Sequence, residues 1–243
     1  MNLLRLLSVF LVLLTAAGCA TMQPLQYHVN IDSLSASTQT AKKHFVLLPG
    51  NKDTPVTDLQ FREYAGYISR ALVTRGYVPA ESIEKADIAI FVVYGIGNPQ
   101  EHQYSYSVPT WGQTGVRSSS TRGTLNTYGS FGTYSGTTTY TPTYGVTGST
   151  TNVGTYTTYS RFLVLNALDL SEYRQTKKEI QLWKTTITSI GSSGDLRLVF
   201  PYMVTASMPH IGTNTGQQIK VILYENDPAV MNVKGQAPTN PKQ

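Results

Sequence analysis

The residues able to do chemistry in this 243-residue chain are few and scattered. Its four histidines, His28, His44, His102 and His210, include no two at metal-ligand spacing, so no zinc or iron site is expected. Ser192, Ser193 and Asp195 could combine with His210 as nucleophile, carboxylate and base. The same residues precede an apolar helical pattern, however, where Ser and Asp cap a helix start, and that role fits them better. Glu101 and His102 are neighbours, and neighbours in an extended chain point apart. Gly95-Ile96-Gly97 follows a strand-like run but lacks the third glycine and the following helix of a dinucleotide fingerprint. Pro49-Gly50-Asn51-Lys52 lacks the spacing of a phosphate loop. No catalytic residue, metal or cofactor is assigned, and the chain is not expected to be an enzyme.

The formal net charge of +5 is dispersed over positions such as Arg62, Arg70, Arg75, Lys177, Lys178 and Lys184. Without a clustered basic stripe, nucleic acid is not an expected partner. The single cysteine excludes an internal disulfide and a cysteine-rich zinc site. Its position gives it another use. Residues 1–18 have the plan of a secretory leader: Arg5, an apolar run from Leu6 to Leu14, then Thr15, Ala16, Ala17 and Gly18 before Cys19. The apolar run is too short to serve well as a membrane-spanning helix. The junction Ala16-Ala17-Gly18-Cys19 resembles the bacterial lipobox, with Ala16 in place of the usual leucine. That resemblance implies lipid attachment at Cys19, palmitate among the acyl chains, and a firm membrane anchor. Ala20, rather than aspartate, after the cysteine implies sorting to the outer membrane, facing the periplasm, with surface exposure left open.

The elements that would position any site follow in order. Residues 19–43 read as a tether rich in Gln, Ser and Thr, with Tyr27 to Ile31 alternating like an edge strand. A single domain is expected over 44–225, interrupted by an insertion over 103–160 and followed by a polar tail, 226–243. His44 to Pro49 reads as a buried strand. Asp58 can cap a helix to about Arg75, with Leu59, Tyr64, Ile68, Leu72 and Val73 at helical spacing and Gly76 as its stop. Ala86 to Tyr94 is a second apolar strand. After the insertion come strands Phe162 to Leu170 and Glu179 to Ile190, joined by a charged turn, Glu172 to Lys178. A helix from Asp195 to Met208, kinked or restarted at Pro201, and a last strand from Gln217 to Tyr224 complete the pattern. This order predicts an α+β fold: a mixed sheet with two main helices on one face and a long Thr/Tyr/Gly-rich β-hairpin insertion.

Phe45 to Pro49, Arg75-Gly76-Tyr77, Ala86-Asp87-Ile88 and Leu182-Trp183-Lys184 resemble the bacterial envelope lipoproteins that share an uncharacterised domain (domain of unknown function 4136). The resemblance implies an envelope location and a compact fold. It supplies no activity and no catalytic residues, and the insertion departs from its pattern.

That insertion is the chain's most unusual stretch. Of the 58 residues from Gln103 to Ser160, 43 are Thr, Ser, Gly or Tyr, and Arg117 and Arg122 are the only charges. Between Thr137 and Val146, threonines alternate with Tyr140, Pro142, Tyr144 and Val146, as on a strand with one hydroxyl face and one aromatic face. Gly112 to Gly115, Arg117 to Gly123 and Thr147 to Gly154 are expected turns, making two hairpins or one bent ribbon. Three readings stay open: an interaction arm, favoured; a disordered linker; and a hairpin entering the membrane within an oligomeric pore, which the scarcity of aliphatics opposes. On the first, Tyr104, Tyr106, Trp111, Tyr140, Tyr144 and Tyr156 are the partner-binding candidates, and envelope protein, glycan or a second copy the candidate partners. An envelope hydrolase is the further alternative.

Overall fold

The computed structural model describes residues 24–36 and 43–236. Strand β1 (Gln26–Ser35) is followed by β2 (His44–Pro49), helix α1 (Leu59–Thr74), β3 (Val78–Pro79) and β4 (Ile88–Ile96). Next come β5 (Gln100–Tyr128), β6 (Phe131–Asp169), α2 (Leu170–Thr176), β7 (Gln181–Gly191), α3 (Leu196–Ser207), β8 (Ile219–Tyr224) and α4 (Pro228–Lys234). The main path of the sheet is β3-β2-β4-β6-β7-β1-β8, and among the described residues β5 pairs with β6 alone. Strand β2 is parallel to β3 and β4, while the remaining pairs along the path are antiparallel.

The expected α+β arrangement, with two main helices covering one face, does not form. Among the described residues, strand accounts for 54% and helix for 23%, in a large mixed sheet of 8 strands with four short helices. Two strands of 29 and 39 residues dominate, while the helices are only 16, 7, 12 and 7 residues long. Contacts divide the chain into a unit built from residues before Gln100 and after Thr157, and a second unit, Gln100–Thr157.

In the first unit, apolar periodicity sets the core. Asp58 accepts the Phe61 amide at 2.7 Å and starts α1; Gly76, at φ 85°, ends it. The buried stripe is Phe61, Tyr64, Ile68, Ala71 and Leu72. Leu59, two residues off that stripe, is 78% exposed, and Val73 also faces out. Helix α3 does not restart at Pro201, and the Thr205 hydroxyl donates to the Pro201 carbonyl at 2.8 Å. Its Phe200 stacks on Tyr64 with ring centroids 3.7 Å apart. Tyr202 stacks on Tyr27 of β1 at the same 3.7 Å separation.

Three boundaries differ from the sequence reading. The segment 26–35, read as tether with an edge strand at most, is an interior strand paired to β7 on one side and β8 on the other. Its Val29 and Ile31 are fully buried, which outweighs the polar composition around them. The polar tail contains α4, whose Val230 and Val233 are buried and which Asp227, Pro228 and Gly235 delimit. The charged turn is helix α2, capped by Asp169 and ended by Lys177 at φ 61°. A register shift at Ala167/Leu168 also lets Leu182 and Trp183 of β7 both be buried, although strict alternation separates them.

Candidate functional site

The six candidate binding residues all belong to the unit Gln100–Thr157. Here β5 and β6 form one hairpin, not two, and it turns at Gly129 and Ser130. Gly129 has φ 58°, the left-handed backbone that a two-residue hairpin loop needs at its first central position. The three stretches expected as turns lie inside the strands. Their glycines have another use: they clear room for side chains. A Cβ on Gly123 or Gly136 would lie 2.4 or 2.7 Å from atoms of Tyr134, and one on Gly154 would lie 2.6 Å from the Tyr104 ring. Glycine in a strand marks such close approaches as often as it marks turns. Threonines pair across the strands, with hydroxyl oxygens 2.8 Å apart at Thr121 and Thr138 and 3.4 Å at Thr114 and Thr143.

Three of the candidates meet. Tyr104 lies 5.9 Å from Tyr106 and 6.1 Å from Tyr156, centroid to centroid, and His102 stacks on Tyr156 at 5.0 Å. The three tyrosine rings are exposed and, with the half-buried His102, form one platform. Trp111, Tyr140 and Tyr144 lie elsewhere on the ribbon as separate exposed side chains, Trp111 at 71%. The sequence reading missed the group at the turn. Tyr128 and Phe131 flank it, each 83% exposed, with Leu125 and Tyr134 beside them. Tyr-Gly-Ser-Phe, a two-residue loop between aromatics, was the available signal. The unit's charges are Glu101, Arg117 and Arg122 alone, and β6 carries none between Phe131 and Thr157.

The first unit holds most of the ionisable groups. A cleft of about 300 Å³ is lined by Glu63, Tyr67, Asp195, Arg197, Lys234 and Gln236, among others. Partial burial works to raise the Glu63 carboxyl. The Tyr67 hydroxyl, donating at 2.7 Å, and Arg197 at 2.8 Å outweigh it and hold the carboxyl below the ordinary range. Burial and the bond to Glu63 push Tyr67 up to about 12. These groups satisfy one another. Asp195 caps α3 by accepting the Arg197 amide at 2.9 Å, and Ser193 Oγ accepts the Asp195 amide at 3.1 Å. Asp87 Oδ2 lies 3.2 Å from His44 Nδ1 near the surface. Among the described residues, no group of three or more His, Cys, Asp or Glu could hold a metal ion.

One core cation stands apart. Arg161 of β6 is 3% exposed; among the described residues its Nε has no hydrogen-bond partner, and no carboxylate is paired with it. Gly191 makes room for it, since a Cβ there would lie 2.6 Å from Nη2. Burial lowers the pKa of this guanidinium.

Cys19, residues 1–18 and the start of the expected tether lie outside the described residues. Among those described, no helix is long and apolar enough to cross a membrane. No protein-family model and no curated protein matches the chain. Among solved structures, the chain is similar to a PDZ domain protein from Parabacteroides distasonis ATCC 8503, at 11% identity and a TM-score of 0.36, over 83% of this chain and 40% of that one. It also aligns with the lysenin pore at 7% identity and a TM-score of 0.12, over 83% of this chain and 49% of the other. The chain thus spans less than half of either protein, and neither likeness is close enough to assign a fold or an activity.

Proposed function

We propose that the chain is an outer-membrane lipoprotein of the type it resembles in sequence, anchored through Cys19 and facing the periplasm. It works there as a non-enzymatic binding or assembly module, with the ribbon Gln100–Thr157 as its interaction arm. The observation that carries this reading is the ribbon's character: a whole unit of the protein is an ordered, nearly uncharged hairpin with its aromatic side chains exposed. Exposed Tyr and Trp are the side chains that anchor interfaces at low entropy cost, and an open strand edge can accept a further strand.

The test has two parts. Replacing Cys19 with Ala is expected to abolish incorporation of labelled palmitate and release the protein from the membrane fraction. Deleting residues 100–157 and closing the gap with a short turn is expected to change the set of envelope components crosslinked to the protein. An unchanged set, with unchanged oligomeric state, sinks the arm reading. A hairpin that enters the bilayer is the competing account. Its strands exceed the roughly 9–11 residues a membrane strand needs, and Val108, Val116, Leu125, Val146 and Val153 are scattered along them. Dye release from liposomes would favour it nonetheless.

A further inference from the structure

We infer that the partner of the ribbon is a second copy of the same ribbon, joined edge to edge, β6 of one copy against β5 of the next. The inference rests on the binding-module reading above and names its partner. Strand β5 pairs only with β6, and the other partners of β6, namely β4 and β7, begin at Arg161 and Tyr159. Between Gln100 and Thr157 the hairpin is therefore two-stranded, and among the described residues no third strand pairs with either outer edge. Isolated two-stranded hairpins are marginal in water, and proteins protect exposed edges with lysines, other charges, prolines or covering segments. Here β6 offers Pro142 and no charge over Phe131–Thr157, and β5 offers Glu101, Pro109, Arg117 and Arg122. So long an edge is matched by a strand of similar length and composition, and the chain itself supplies one. The Thr121–Thr138 and Thr114–Thr143 contacts already pair this composition with itself.

Direction selects the mode. Copies held on one membrane lie in the same orientation, so β6 of one runs antiparallel to β5 of its neighbour and repeats the pairing inside each hairpin. Such head-to-tail contact closes into a ring or extends as a row. Confinement to a membrane raises the effective concentration that drives it.

The experiment uses the full chain, purified from membranes in detergent, with its mass measured by light scattering and native mass spectrometry. The wild type is expected to contain two or more copies. A variant with Thr137→Lys, Thr139→Lys and Thr141→Lys places a charged row on alternate residues of β6 and is expected to be a single copy, with strand content and melting temperature unchanged. A wild type that stays single across the micromolar range overturns the inference, as does a lysine variant that keeps the wild-type mass. If the wild type is single and deletion of residues 100–157 still removes another crosslinked component, self-pairing is wrong while the binding-module reading stands. If deletion changes neither mass nor crosslinks, both fail.

Discussion

The two units of this chain use the same backbone period for opposite ends. In β4, β6 and β7 of the first unit, alternate side chains such as Ile90, Leu165 and Ile187 are withdrawn from water, and aromatic contacts, Tyr94 with Tyr64 and Tyr27 with Tyr202, join the sheet to α1 and α3. In the ribbon the alternating positions carry threonine, tyrosine and glycine, and hardly a residue is buried. Aliphatic side chains contribute mainly through area removed from water; hydroxyl and aromatic rows left in water contribute little until something covers them. On the proposed function, stability and interaction fall to different stretches of one chain.

The contrast can be broken by measurement. Phe200→Ala, which empties a fully buried position against Tyr64, is expected to cost about 3–5 kcal/mol in urea unfolding, whereas Tyr140→Ala changes stability by less than about 0.5 kcal/mol. Equal losses would erase the distinction. Arg161→Met removes a buried charge that has no carboxylate partner among the described residues, and it is expected to stabilise the first unit by about 1–3 kcal/mol. A loss would mean that the guanidinium is held by a partner. Asp58→Ala removes the cap of α1 and is expected to cost about 1 kcal/mol, seen as an earlier thermal midpoint.

The smallest effect concerns pH. The Glu63 carboxyl is depressed in the folded protein, so its contribution is present above the ordinary carboxylate value of 4.5 and is lost as pH falls through the lower folded value. Solvent screening keeps it small. Glu63→Gln is expected to flatten the acid limb of stability against pH, and a limb of unchanged slope would count against the ion pair with Arg197.

Sequence patterns located the aliphatic strands and the cap of α1 because each is decided locally, by alternation or by one side chain at a helix start. They failed where a distant partner decides. The strand 26–35 looks polar on its own and becomes interior only because β7 and β8 flank it. Glycines at 112, 123 and 154 carry turn composition, yet the space they vacate is taken by Thr147, Tyr134 and Tyr104 across the ribbon. Helix α4 was legible in Asp227-Pro228 and Gly235 but was hidden by the polar residues around it. The ribbon's aromatic residues were visible from composition, whereas the grouping of His102, Tyr104, Tyr106 and Tyr156 depends on strand pairing that one sequence does not print.

The interior placement of β1 also sets a leash. Only residues 20–25 separate Cys19 from the first residue of that strand. Fully extended, the seven steps from Cys19 to Gln26 reach no more than about 25 Å. Peeling β1 away to lengthen it would break its pairing with both β7 and β8. If Cys19 carries lipid as proposed, the folded unit would stay close to the bilayer, and any partner would have to come to that surface or already reside there.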